Sequence, residues 1–162
     1  MKKLWFLWTP LACVFCGMLG LVIQSCNEET CLRNDRGYIG ISCHNNDGGT
    51  DVALNELTVT AFDTDSVLIN QESSVSSLSL PVDETRDSTV YVFKYTSTDA
   101  IISYDTLSIY YTRTPVYISM ECGKAIYCNI EDVKYTAHQL ARVEIVNKLI
   151  KETDAQNIKL YY

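Results

Sequence analysis

A chain of 162 residues has room for one domain plus a targeting segment, since single domains most often fall at about 100–150 residues. With 47% hydrophobic and 20% charged residues, the composition is that of a folded protein and excludes a disordered chain. Residues 1–25 carry Lys2 and Lys3 and no acid, so the remainder holds 11 basic against 20 acidic residues, net −9, which speaks against binding nucleic acid or anionic lipid headgroups.

The chain opens MKKLWFLWTPLACVFCGMLGLVIQSC. Lys2 and Lys3 form a basic start and Leu4 to Ile23 an uncharged run, the form of a secretory signal. A run of about 20 apolar residues could also stay uncleaved and span a bilayer. The end of the run favours cleavage, because Ile23-Gln24-Ser25-Cys26 resembles the lipobox of bacterial lipoproteins, with Gln24 a departure from its stricter form. The expectation is a signal peptide over 1–25, a lipidated tether over 26–37 beginning at Cys26, and a domain over 38–162. A lipid on Cys26 implies an outer-membrane anchor. Asn27-Glu28-Glu29 resembles the short acidic signals that carry lipoproteins to the cell's outer face; a solvated tether explains it equally well.

Beyond the tether, period-2 alternation dominates. YIGISC (38–43) reads as a first strand, ended by NNDGGTD. In ELTVTAF, Leu57, Val59 and Ala61 share a face; SVLIN follows an Asp-rich corner; VSSLSLP sets Val75, Leu78 and Leu80 against serines and ends at Pro81. STVYVFKYTS carries Tyr91, Phe93 and Tyr95 on one side, with Val90 and Val92 opposite. DTLSIYYTR alternates Leu107, Ile109 and Tyr111 with Thr106 and Ser108. PVYISMECGKAIYCNI reads as a hairpin starting at Pro115 and turning at Gly123-Lys124. HQLARVEIVNKLI (138–150) is the one helix candidate, but its alternation with the closing NIKLYY favours a terminal hairpin. The expected fold is all-β, an antiparallel β-sandwich of eight to ten strands in a single domain.

Cys13 and Cys16 have CxxC spacing but lie in the apolar run, without the strand-to-helix context of a redox site. With Cys26 assigned to lipid, Cys31, Cys43, Cys122 and Cys128 remain, an even number in an exported domain. Two disulfides follow, with three connectivities open. Zinc ligand pairs normally lie two to four residues apart, a spacing these cysteines do not have, so neither metal nor cofactor is expected. The acids of NNDGGTD, DTD and DETRD fit turn chemistry better than a calcium loop, since Cys43 would take the first ligand position. His44 and His138 have no evident nucleophile beside them in the sequence and read as structural or surface residues. Asp65-Ser66-Val67, Asp87-Ser88-Thr89 and Asp105-Thr106-Leu107 resemble the Asp-Ser/Thr-apolar acceptor of bacterial O-glycosylation, which marks Ser66, Ser88 and, less accessibly, Thr106.

Several short motifs in this order resemble one known family. They are the lipobox-like start, Cys31 soon after it, Leu80-Pro81, Asp105-Thr106-Leu107, Glu121-Cys122-Gly123 and the closing Asn157-Ile158-Lys159-Leu160-Tyr161. Together they resemble a family of Bacteroidetes lipoproteins known only as a domain of unknown function. The resemblance implies a lipid-anchored, β-rich exported domain in which Cys31 pairs with Cys122, leaving Cys43 and Cys128 for a second bond. The functional expectation is a non-catalytic cell-envelope lipoprotein, membrane-bound through its anchor, that binds an envelope protein or glycan. The alternative is a small extracytoplasmic hydrolase. A cleft joining a histidine to acids would favour the enzyme; exposed tyrosines on one sheet would favour binding.

Overall fold

A computed structural model describes residues 37–120, 122–150 and 155–162. Ten strands and no helix are found among them: β1 (Tyr38–His44), β2 (Leu57–Ala61), β3 (Ser66–Glu72), β4 (Ser77–Pro81), β5 (Ser88–Thr96), β6 (Ile102–Ser119), β7 (Gly123–Tyr135), β8 (Arg142–Ile145), β9 (Leu149–Ile150) and β10 (Gln156–Tyr161). They form a four-stranded sheet, β4-β1-β10-β8, and a six-stranded sheet, β3-β2-β5-β6-β7-β9. The alternation of the sequence explains the sandwich. Ile39, Ile41, Leu78, Leu80, Ile158 and Leu160 supply one inner face, and Leu57, Val59, Tyr91, Phe93, Leu107, Ile109 and Ile130 the other.

Fully burying each aliphatic or aromatic side chain contributes about 1.5–3 kcal/mol, so these two rows supply the main driving force for folding. The tyrosines among them also tie the layers together. Tyr91 donates to the Pro81 carbonyl at 2.7 Å, and Tyr111 to the Asp83 carbonyl at 2.7 Å, both reaching from the larger sheet to the end of β4.

Three features depart from the sequence expectation. The sheet is not antiparallel throughout, because β1 pairs parallel to β10 on one side and antiparallel to β4 on the other. β1 and the segment leading into β10 come so close at Gly40 that a Cβ there would overlap the Ala155 carbonyl oxygen. Secondly, β6 is one strand of 18 residues that runs through Pro115, not two. Its neighbour β5 stops opposite Tyr110, so Pro115 lies where β6 has a partner on one side only, and a missing N–H is tolerated there. The hairpin turn correspondingly precedes Gly123, which has a positive φ of 75° and already belongs to β7. Thirdly, the terminal segment does form the expected β8–β10 pair, but Leu149 and Ile150 cross over to pair with β7.

Two buried polar side chains hold this crossing chain. Asp105, fully buried on β6, accepts from the Thr136 hydroxyl at 2.9 Å and from the backbone N–H groups of His138, Gln139 and Leu140 at 2.8, 2.8 and 3.0 Å. Asn157, buried on β10, accepts from Gly40 N–H at 3.1 Å and donates to the carbonyls of Asn147 and Leu149 at 3.0 Å each. Removing the Asp105 carboxylate strands three backbone donors, which costs about 1–3 kcal/mol for each that stays dry. Asp105→Ala is expected to lower stability by at least about 3 kcal/mol in urea denaturation, with Asp105→Asn, which keeps one acceptor oxygen, falling between it and the parent protein.

Candidate functional site

The outer face of the four-stranded sheet carries a hydroxyl–imidazole pair. Ser42 and His44 lie two residues apart on β1, so strand alternation turns both outward, and Ser42 Oγ is 2.7 Å from His44 Nε2. His44 Nδ1 is 3.1 Å from the Gly49 carbonyl oxygen, which can only accept. In the neutral ring the proton is therefore on Nδ1, leaving Nε2 to accept from Ser42. Asp51 Oδ1 lies 3.2 Å from the same Nδ1, but its side chain is 79% exposed. The Gln156 amide donates to Ser42 Oγ from β10. Beside these groups runs an open groove of about 430 Å³ lined with Ser77, Ser79 and Leu78.

The expectation that neither histidine neighbours a nucleophile is corrected here for His44. A nucleophile, a base and a group orienting the base are present. A set of free donors for a developing oxyanion is not evident: β1 has partners on both sides, which commits its backbone N–H groups to the ladders, and the Gln156 amide already bonds Ser42 itself. His138 also meets an acid, with Nδ1 3.4 Å from Asp105 Oδ1, but that carboxylate is filled by the four donors of the crossing chain.

A second cleft, of about 530 Å³, lies between the β2–β3 corner and the loop after β4, and includes Asp63, Ser66, Asp83, Glu84 and Thr89. Its acids are already partnered. Arg86 bridges Asp63 and Asp83, the Thr85 hydroxyl and amide hold Asp83 below the usual carboxylate range, and Glu84 accepts the Gly37 N–H at 2.7 Å. Among the described residues, no three or more His, Cys, Asp and Glu side chains converge as a metal site. Of the three glycosylation candidates, Ser66 is exposed at the start of β3 and Ser88 half-buried at the start of β5. Thr106 is half-buried within β6, with its N–H and carbonyl both bonded to Thr136 and the Asp105 of its motif buried.

The expected Cys43–Cys128 disulfide is not formed: both are free, buried thiols. They occupy opposite ends of the sandwich. Cys43 bonds Tyr162, which neighbours Tyr95, whereas Cys128 lies across the ladder from Arg113, next to Tyr111, which bonds Thr89. Thr89 and Tyr95 are six residues apart on β5, roughly 20 Å, far beyond the Cα separation of about 7 Å that a disulfide can bridge. For the Cys31–Cys122 pair, Cys31 lies outside the described residues, as does Cys26.

On the six-stranded sheet, Tyr104 and Tyr110 are out of phase with the buried Leu107, Ile109 and Tyr111 and face outward, 53% and 38% exposed. Thr106 and Ser108 lie between them, Lys94 pairs with Tyr104 in the ladder, and Lys134 Nζ sits 5.2 Å from the Tyr110 ring centroid. Phe62, also exposed, lies just beyond β2. A family of unknown function (DUF6452) matches residues 56–162. The chain belongs to that family. The match takes in Asp105, Cys122 and Asn157 together with Tyr104 and Tyr110, but not β1, so Ser42, His44 and Asp51 fall outside it. No curated protein and no solved structure matches the chain.

Burial pushes the Cys43 thiol up to about 12 and Cys128 to about 11, from an ordinary 9.0, and Tyr111 to about 12 from 10.0. Tyr91, Tyr95 and Tyr162 are pushed up further by the same cause. These groups are neutral in the folded state at pH values where the unfolded chain has released their protons. Their contribution to stability is complete below about pH 9 and is lost as pH rises through about 11–12. The urea midpoint is therefore expected to fall steeply above about pH 9, and a thiol reagent at about pH 8 to label Cys43 and Cys128 only on unfolding.

Proposed function

We propose that this protein is a non-catalytic, lipid-anchored module of the cell envelope that holds a partner protein or glycan on the outer face of its six-stranded sheet. The observation that carries the reading is the pair of outward tyrosines on β6, Tyr104 and Tyr110, set among hydroxyl-bearing residues and near the exposed Phe62. Rigid aromatic rings with a polar tip contribute contact area and hydrogen bonding at low entropic cost. In support of anchoring stands the lipobox-like Ile23-Gln24-Ser25-Cys26, which on this reading puts the protein on the outer membrane; Asn27-Glu28-Glu29 fits an outer-face signal and a solvated tether equally. Cys122, unlike Cys43 and Cys128, is not a free thiol, which supports its pairing with Cys31. Ser66 and Ser88 are the O-glycosylation acceptors of this reading, readable as added hexose mass on the purified protein.

In crosslinked pulldowns from intact cells, Cys26→Ala is expected to retain the partner, and Tyr104→Ala with Tyr110→Ala to reduce its recovery about tenfold or more. Equal recovery by the double variant would show that binding lies elsewhere.

The Ser42–His44 pair favours a second reading, a small extracytoplasmic hydrolase acting through Ser42 with His44 as base. An active serine of that kind is modified by a fluorophosphonate probe, and the label disappears in Ser42→Ala. On the binding reading, no label appears on the folded parent protein at all.

A further inference from the structure

The β6–β7 hairpin outruns the rest of its sheet. β5 stops opposite Tyr110, and β9 pairs no further than Cys128, so among the described residues the hairpin beyond the Arg113–Cys128 pair is a two-stranded arm. Six more residues of β6 carry it about 20 Å to the Ser119–Gly123 pair. Toward its end it exposes three apolar side chains beside Glu121 and Lys124: Tyr117 and Ile118 are 59% and 47% exposed, and Met120, in the turn, is 94% exposed. Tyr117 and Ile118 are consecutive in a strand and face opposite ways, so one flat partner surface cannot cover both. A medium that surrounds the tip can.

The place where the chain enters the domain indicates which medium. Gly37 lies at the base of this arm. Its N–H bonds Glu84, whose carbonyl accepts from Arg113 at 3.0 Å, and a Cβ on Gly37 would touch Ile150, the ladder partner of Cys128. From Cys26 to Gly37 the chain spans at most about 40 Å. The far end of β6, at Ile102, stands about 36 Å from Arg113 in the direction opposite to the tip. An anchor at Cys26 is thus within reach of the arm end, and on the Cys31–Cys122 pairing proposed above only five positions separate Cys26 from the residue bonded into this turn.

We propose that the tip of the β6–β7 arm is a membrane wedge, in which Met120, Ile118 and Tyr117 enter the interface of the bilayer that holds the lipid of Cys26. The inference rests on the lipoprotein reading above and adds a second contact to it. Met120 and Ile118 bury apolar surface at the acyl boundary, Tyr117 sits with its ring at headgroup level, and the Lys124 stem lies along the same boundary with its ammonium in water. On an uncharged bilayer the net acidity of the domain adds no Coulomb repulsion, and the carboxylate of Glu121 limits insertion to a depth at which it stays in water. Glu121, also in this turn, lies outside the described residues.

The test uses a natural blank. The chain's two tryptophans are Trp5 and Trp8, both within residues 1–25, so Met120→Trp places the sole tryptophan of the processed protein at the tip. The full chain is expressed, processed, extracted in detergent and reconstituted into phosphatidylcholine vesicles with brominated acyl chains. Met120→Trp emission is expected to be blue-shifted and quenched several-fold more strongly than that of Ile101→Trp at the far end. Unquenched emission from protein whose Cys26 carries acyl groups by mass spectrometry overturns the wedge and leaves the lipoprotein reading standing. A blue shift without bromine quenching means burial against protein and also overturns it. Absence of acyl groups on Cys26 overturns both.

Discussion

The arrangement of the two sheets depends on a carboxylate with no access to water. Asp105 sits in the inward phase of β6, where the pattern otherwise places Leu107, Ile109 and Tyr111, and a buried acid without partners would be strongly destabilising there. It is tolerated because the chain leaving β7 wraps its backbone N–H groups around both oxygens. The dependence is mutual. The carboxylate needs the loop for its donors, and the loop needs the carboxylate to satisfy amides that belong to neither sheet. Fixing that loop sets where β8 begins, and hence which strand lies beside β10. Asn157 then repeats the device one crossing later, joining β1, β10 and the turn into β9 through a single amide.

Most strands were legible because alternation is local: each of the sequence segments 38–43, 57–61 and 88–96 carries its own record of which side faces the core. What alternation does not record is pairing, so the parallel β1–β10 contact and the excursion of Leu149 and Ile150 to the other sheet had no local sign. Pro115 reads as a strand start because a central strand excludes proline. The sequence offers no clue that β5 has already ended at that level. The expectation of a Cys43–Cys128 bond failed for a related reason. An even count of cysteines fixes no positions, and Cys43 and Cys128 each face inward as the pattern says, but at opposite ends of the sandwich.

Part of the candidate site is legible in the sequence. Ser42 and His44 are two apart in a segment recognised as a strand, which places them on one face; only the Gly49 carbonyl and the Gln156 amide, brought in by a turn and by β10, needed the fold. Tyr104 and Tyr110 share the parity of Thr106 and Ser108, so their outward direction followed from the alternation that assigned Leu107 and Ile109 to the core. Asp105 shares the parity of Leu107, and that phase marked it as a buried acid. The two outer faces thus differ in kind: one presents a hydroxyl and an imidazole above a serine-lined groove, the other widely spaced aromatic rings among threonines and lysines.

The parallel pairing of β1 with β10 also governs the order in which the protein can form. Gly40 and Asn157, bonded to each other, are 117 positions apart in the chain. β1 lies between β4 and β10, so the four-stranded sheet has a gap at its centre until β10 has been made. Closing a loop of this length must precede the contacts that reward it, which makes such topologies slow to fold. During vectorial synthesis β1 emerges before β10 and waits with one edge unpaired. For that interval the edge of β1 needs protection from other strands.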